Sequence, residues 1–264
     1  MRTDYWVTAA LAGLGWTTLV AVLTWAASLC KRDASLVDRV WAVCIAGAGW
    51  TYLTALPDIS QRGMLMVGIA TLWALRLSLF ITWRNWGHGE DRRYQAIRAR
   101  NQPHFGWRSL YLVFGLQALL AWVVSAPLFA GAASQGALHA GDVVGAALAM
   151  FGFVFEAIAD TQLARFKADA HHRGQVMDRG LWRHTRHPNY FGEACVWWGL
   201  WIMACGSGSA LGLWSVLSPL LMTVLLLRVS GVRLLEGDIA DRRPAYREYI
   251  ARTNAFFPGP RKVR

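Results

Sequence analysis

Seven stretches of this chain are apolar and long enough, or nearly so, to cross a bilayer: 5–29, 38–56, 63–83, 109–130, 142–166, 189–205 and 211–235. A hydrocarbon core about 30 Å thick asks for roughly 20 apolar residues in a helix. In lipid, each backbone N–H and C=O has to be satisfied within its own segment, which leaves helices or closed barrels. A soluble helical protein would carry polar faces at a 3.6-residue period, and these runs mostly lack them. The second and sixth runs are the short ones. The expected fold is all-α: a polytopic membrane protein with seven transmembrane helices.

The loops between the runs set an orientation. Residues 84–108 carry six arginines against two acids, and 164–189 carry six basic residues against two acids. The tail 236–264 has seven basic residues against four acids, and 31–39 has three against two. The intervening loops 57–62, 131–140 and 206–209 carry no net formal charge. Basic loops therefore alternate with neutral ones, as the positive-inside rule requires of an odd number of spans. The N-terminus is expected outside and the C-terminus in the cytoplasm.

A formal net charge of +11 would suit a nucleic-acid binder. The basic residues lie between spans, however, and a chain 55% hydrophobic and 16% charged fits one largely in lipid, so nucleic acid is excluded as a partner. Fifteen tryptophans suit two membrane interfaces. Cys30, Cys44, Cys195 and Cys205 are scattered with no Cys-x-x-Cys pair, which argues against a disulfide framework or a zinc site. The first run is too long for a signal-peptide core and reads as a retained helix. No repeat or linker divides the chain. A single membrane domain over 1–264 is expected, with helices 1–4 in 1–130 around a substrate cavity and helices 5–7 with the tail in 141–264.

Five charges fall at depth: Arg76, Glu156, Asp160, Glu193 and Arg228. Such groups face a bundle interior or polar cavity and mark functional sites. Glu156 and Asp160, four residues apart, share a helix face, and two carboxylates there repel unless they share a cation or hydrogen bonds. Adjacent ribose hydroxyls would satisfy them. An ion pair with Arg76 or Arg228 is the structural alternative. Further on, Gly-Leu-Trp-Arg-His-Thr-Arg-His-Pro-Asn-Tyr-Phe-Gly-Glu occupies 180–193. Arg183, His184, Arg186 and His187 crowd into five residues just before a helix that Pro188 and Asn189 open. Clustered arginines beside a helix N-terminus suit an anion, above all a phosphate. The alternative is an interfacial cluster on lipid headgroups.

The pattern Leu-Trp-x-x-x-Arg-His-Pro-Asn-Tyr-x-Gly-Glu resembles the C-terminal signature of the steroid 5α-reductase superfamily, from about Gly152 to Pro258. That group includes bacterial membrane proteins, sterol reductases and, more distantly, isoprenylcysteine carboxyl methyltransferases. The resemblance implies an NADPH site. Asp160, Leu163 and Lys167 match the family's Asp-x-x-Leu-x-x-x-basic helix, whose acidic and basic positions contact NADPH, with Glu156 on the same face. Asn189 and Glu193 match its Asn-x-x-x-Glu at the cofactor, and Trp182, His184, Arg186 and Tyr190 stand in the same motif. Arg228, Glu236, Tyr246 and Tyr249 correspond to a helix and a Tyr-x-x-Tyr tail that close over the cofactor in relatives. An amphipathic tail on the membrane surface is the alternative for these. In the loop after the third span, Arg84, Arg92, Arg93 and Tyr94 are candidates for the cofactor phosphates, or simple positive-inside anchors. Gly206-Ser-Gly-Ser-Ala-Leu-Gly212 imitates a dinucleotide fingerprint but lacks a strand before it and has the wrong spacing. No metal is expected.

In 5α-reductases a Gln-Glu-Leu-Pro segment on the second helix supplies an acid to the substrate carbonyl, partnered by a tyrosine on the third helix. This chain has no such segment. Asp38 is the nearest acidic counterpart, Trp73 falls near the tyrosine's place, and Tyr52 is another hydroxyl donor. A helix cap or a pair with Arg39 is the alternative for Asp38. The resemblance implies a membrane reductase that uses NADPH on an apolar enone, such as a 3-oxo-Δ4 steroid or a prenyl lipid. Asp38, protonated through burial, would donate to the carbonyl. It implies a monomer among membrane lipids, in a bacterial inner membrane. Two rivals stand beside it: an S-adenosylmethionine-dependent lipid methyltransferase, and a lipid-binding protein with no catalysis.

Overall fold

The computed structural model describes residues 2–229, Glu236 and 244–262; the part of the tail between them, which the sequence assigns to the last span and the loop after it, lies outside the described residues. The described residues form helices and turns and no strand. The principal helices are α1 (Arg2–Lys31), α2 (Leu36–Ala55), α3 (Gln61–Arg84), the short α4 (Arg92–Arg100), α5 (Phe105–Val124), α6 (Ala126–Ala132), α7 (Ala140–Ala168), α8 (Pro188–Cys205), α9 (Ala210–Arg228) and α10 (Ala245–Arg252).

Five of these, α1, α3, α5, α7 and α9, are long and apolar enough to cross a membrane. The other two apolar runs are also helical, as α2 and α8, but neither meets that standard. The shortfall has local causes. Helix α2 has Asp38 and Arg39 in its first turns, and α8 has only 18 residues with Glu193 among them. The fourth run ends early because Pro127 lacks an N–H and its ring crowds the carbonyl one turn back. The helix stops at Ser125, whose hydroxyl donates to Trp122 O at 2.7 Å, and restarts as α6.

The chain divides into two compact units, Met1–Asp142 with Met203–Ser218, and Val143–Ile202 with Pro219–Arg264. The first unit is a bundle in which α2 packs between α1 and α3, with α5 and α6 against them. Small residues set its spacing. A Cβ on Gly47 would lie 2.1 Å from Trp16 Nε1, and one on Gly63 would lie 2.7 Å from Ala132 Cα. Its interior holds Trp73, Phe114 and Leu128, each fully buried. Arg62, also fully buried, pairs with Asp142 through two contacts of 2.6 and 2.9 Å and donates to Ala137 O, so it ties the 133–142 loop to the start of α3. The sequence shows Arg62 only as a neutral-loop charge. A buried ion pair of this kind needs every polar group satisfied, and the loop carbonyl and the Ser134 hydroxyl complete the set.

In the second unit α7 and α8 meet backbone to backbone. A Cβ on Gly152 would lie 2.4 Å from Gly192 O, and one on Gly199 would lie 2.5 Å from Ala149 N. Small residues at such a seam let two helices approach closely, the commonest device for packing helices where lipid offers no hydrophobic drive.

Candidate functional site

The α7–α8 seam positions the acidic residues. Because the helices approach so closely at Gly192, a Cβ there would lie 2.8 Å from Glu156 Cβ. One turn along α7, Asp160 Oδ1 accepts a hydrogen bond from Asn189 Nδ2 at 3.3 Å. Glu156, Asp160 and Glu193 are buried, with exposures of 2, 5 and 8%. The structure thus brings Asp160 and Asn189 into contact, with Glu156 buried one turn away on α7 and Glu193 buried one turn away on α8. Asn189 Oδ1 is buried there with no hydrogen-bond partner among the described residues. A buried amide oxygen left without a donor is costly and points to a missing one.

The turn after α7 is built on that helix. Gly180 has φ +57°, and a Cβ on it would lie 2.5 Å from Gln162 Oε1, so glycine is required. Gln162 accepts from Leu181 N at 3.0 Å, and Trp182 Nε1 donates to Ala159 O at 3.0 Å. Trp182 is therefore a staple between this turn and α7. Leu163 is half-buried on α7, while Lys167, Arg183, His184 and Arg228 are exposed.

Arg186 is placed differently from the solvent-facing cations. Its Nε and Nη2 donate to the two oxygens of Glu236 at 2.7 and 2.8 Å. Its Nη1 donates to Thr253 O at 2.5 Å and Ile250 O at 3.2 Å. His187 Nε2 lies 2.9 Å from Glu236 Oε1, and its ring stacks on Tyr190. Burial would push the Glu236 carboxyl up, but the hydrogen bonds from His187 and Arg186 and the guanidinium charge overcome it and hold it at about 2. The anion that this basic cluster calls for is thus supplied by the chain itself. The tail is tied down further by Tyr249, whose hydroxyl donates to Trp182 O at 2.5 Å, and by Thr185 Oγ1 donating to Phe256 O at 2.8 Å. Tyr246 packs edge-on against Tyr249. Arg186 and Glu236, read from the sequence as cofactor contacts, are committed to each other and to the tail.

In the first unit, Asp38 stands in the first turn of α2. Helix α4, capped by Asp91 Oδ1 accepting from Arg93 N at 2.9 Å, folds back onto it. Tyr94 donates to Asp38 Oδ1 at 2.6 Å, and Arg93 Nη2 donates to Asp38 Oδ2 at 2.7 Å. Tyr94 is buried against Ala34, Val37 and Phe105. Burial first, and then the Asp38 carboxylate, push its hydroxyl far above the usual tyrosine range. The loop is fixed by Arg98, which donates to both oxygens of Glu90 at 2.8 Å, and Glu90 accepts from Ala34 N. The structure therefore brings together Asp38 with Tyr94 and Arg93, which the sequence assigned to separate roles. Asp38 is the acceptor in this pair and Tyr94 carries the hydrogen. No pattern in the sequence joins residues 38 and 94; their contact follows from the return of α4.

The other candidates for the acid's partner lie elsewhere. Tyr52 is fourteen residues along α2, about 21 Å from Asp38 at 1.5 Å per residue. Its hydroxyl is hydrogen-bonded with Ser125 Oγ at 2.7 Å. Trp73 is fully buried in the core of the bundle. Arg84 is exposed, with its guanidinium over Phe80 and its Nε donating to Asn85 Oδ1. Among the described residues, no three His, Cys, Asp or Glu side chains are grouped to hold a metal ion.

A family model described as "Protein of unknown function (DUF1295)" matches residues 24–253. An uncharacterised protein of the fission yeast Schizosaccharomyces pombe is 25% identical over 278 residues, covering 94% of this chain and 79% of its own length. No solved structure matches the chain.

Proposed function

The chain belongs to the DUF1295 family, whose function is unknown, and from that premise we propose that it is a membrane reductase that uses NADPH on the activated C=C bond of an apolar enone lipid. The observation that carries this reading is the Asp160–Asn189 contact, with Glu156 and Glu193 buried one turn away and Asn189 Oδ1 left without a donor. Acceptors of this kind suit ribose hydroxyls and a carboxamide N–H. Exposed Lys167, Arg183 and His184, in the same unit, are the cations for the phosphates. Arg186 is not among them, because all three of its nitrogens already donate within the protein. The residues present fit a dinucleotide, which when bound supplies the hydride.

On the substrate side the proposal rests on Asp38 and Tyr94. Tyr94 keeps its proton at neutral pH and offers it to a substrate carbonyl oxygen, while Asp38 orients the hydroxyl and accepts from it otherwise. Arg93 holds the carboxylate in place. The likeness to the steroid 5α-reductase superfamily in residues 152–258 belongs to the same proposal.

Seven spans, with α2 and α8 completing the set and the N-terminus outside, are supported by the alternation of loop charge. The yeast relative ties the fold to no bacterial membrane. Single cysteines placed in 84–108 and in 131–140, on a chain freed of its native thiols, are expected to label from opposite sides. Labelling of both from outside removes the seven-span arrangement.

The test of function is titration of purified protein with NADPH, NADH and S-adenosylmethionine at fixed salt. NADPH is expected to bind more tightly than NADH, because the extra phosphate finds cationic partners. Tight binding of S-adenosylmethionine without NADPH would replace the reductase by a lipid methyltransferase, and binding of none of the three would point to a non-catalytic lipid-binding protein.

A further inference from the structure

At one end of the first unit, α1 stops at Lys31, α3 stops at Arg84 and α5 starts at Phe105. The turn after α1 and the loop between α3 and α5 pack on each other there. Ala34 N donates to Glu90 Oε1 at 2.8 Å, and Arg98 Nη2 donates to Arg32 O at 3.4 Å. Trp25 Nε1, on α1, donates to Gly106 O at 2.9 Å. The Arg98 guanidinium lies over the Phe105 ring, 4.4 Å from its centre. Residues 31–39 and 84–108 are thus one platform at the ends of three helices long and apolar enough to cross a membrane.

The charges of this platform are sorted by depth. It carries nine cations and four acids. Three half-buried arginines hold all four acids: Arg39 pairs with Asp33 at 3.7 Å, Arg93 with Asp38 and Asp91 at 2.7 and 3.0 Å, and Arg98 with Glu90 at 2.8 Å. Lys31, Arg32, Arg84, Arg92, Arg100 and Arg108 are all exposed, and among the described residues none of them has an ion-pair partner within 4 Å. Exposed Trp83, Trp86 and Trp107 stand beside Arg84 and Arg108, as tryptophans do at headgroup level. Helix α4 carries the imbalance furthest, with four arginines in nine residues and no acid. A helix so short has little stability of its own. Its inner side is held by Asp38 through Arg93 and Tyr94, while Arg92 and Arg100 face outward with no counter-charge from the platform.

We propose that this platform is a docking surface for anionic phospholipid headgroups, which supply the counter-charge for its outward cations and hold α4 over Asp38. A phosphodiester only accepts hydrogen bonds, and exposed guanidinium groups only donate them, so the two are matched in charge and in geometry. The proposal rests on α1, α3 and α5 crossing a membrane, which brings the platform to the headgroups, and not on the reductase reading.

The experiment places the full chain, without nucleotide, in nanodiscs of dioleoylphosphatidylglycerol or of dioleoylphosphatidylcholine and follows amide hydrogen exchange over 92–100. Exchange in α4 is expected to be about twentyfold slower in phosphatidylglycerol, roughly fivefold for each of its two outward cations. Arg92→Gln should keep about fivefold of that difference, and Arg92→Gln/Arg100→Gln should lose it. Arg173→Gln/Arg179→Gln removes the same charge from exposed positions of the second unit and is expected to keep the whole difference. Salt raised to about 0.5 M should narrow the difference in the unaltered chain, which needs no variant, because screening then acts within a few ångströms. Millimolar NADPH is expected to leave α4 exchange in phosphatidylcholine unchanged. Equal exchange in the two lipids overturns the proposal, as does a difference indifferent to salt. So does a second-unit variant that loses as much as Arg92→Gln/Arg100→Gln, which would make the effect one of net charge alone. Protection of α4 by NADPH in phosphatidylcholine would give the platform to nucleotide phosphates instead. Because the lipid comparison contains no nucleotide, its failure leaves the reductase reading standing.

Discussion

Two acidic groups sit in this molecule on opposite kinds of support. Asp38 stands at the start of α2, and both its oxygens are taken by side chains of a short helix that returns from a loop. Glu156, Asp160 and Glu193 stand on two long helices whose backbones touch, and the amide between them has an oxygen without a donor. The first arrangement is complete within the protein and depends on a loop. The second is rigid and has a valence to spare. A site that binds a fixed ligand gains from the second kind of support, since rigid elements hold geometry better than loops. A site that moves a proton gains from the first, where a hydroxyl can turn from one acceptor to another.

The sharpest way to break this contrast is at the Asp38–Tyr94 pair. Asp38→Asn and Tyr94→Phe are each expected to lower turnover of an enone by about two to four powers of ten, the scale of a positioned acid. NADPH affinity should stay near that of the parent in both. The double variant should be no slower than the worse single one, because the two residues act as a unit. Additive losses, or an Asp38→Asn protein that turns over normally, would show that the contact is only structural.

The seam is the next target. Gly152→Val places a side chain where even a Cβ meets Gly192 O at 2.4 Å. A loss of about 3 kcal/mol or more is expected, read as a lower thermal midpoint in detergent, since backbone cannot give way as a side chain can. Unchanged stability would mean that the helices need not touch. At the site itself, Asp160→Asn is expected to weaken NADPH binding by about 1–3 kcal/mol, the value of a hydrogen bond to a charged group, with no change in kcat at saturating cofactor. If Asp160→Asn instead slows turnover at saturation, the division between binding and proton transfer is lost.

The last test concerns the tail. Glu236 is held at about 2 against an ordinary value of 4.5, so its folded form binds its proton less readily than its unfolded form. Its contribution is whole above about pH 4.5 and declines as pH falls toward 2. The stability difference between the parent and Glu236→Gln should be constant above that window and shrink to nothing across it. A difference that persists undiminished well below pH 2 would show that the carboxylate charge is not what Arg186 and His187 hold.

Helix content and the apolar character of each helix were legible because each is a local property of the chain. Run length and the want of a polar face are read within one segment, and the structure has a helix in each of the seven runs. The grouping of Glu156 with Asp160, and of Asn189 with Glu193, was legible for the same reason, since residues four apart share a helix face. That Asp160 meets Asn189 needed the close approach of α7 and α8, and a one-dimensional pattern does not say which two helices lie side by side. Arg186 shows the limit from the other direction. Its neighbours in sequence suggested a phosphate, but its partners are Glu236, fifty residues on, and two carbonyls of the tail. Likewise Tyr94 looked like a loop residue and Tyr52 like a partner for Asp38, and the return of α4 reversed them. By itself the sequence determined what each helix is made of and which of its faces carries charge, because those follow from composition and a period of 3.6. Only the tertiary structure decided which charges are satisfied by the chain and which acceptor remains open, because hydrogen bonds are made between atoms that folding brings within 3 Å of one another, whatever their distance along the chain.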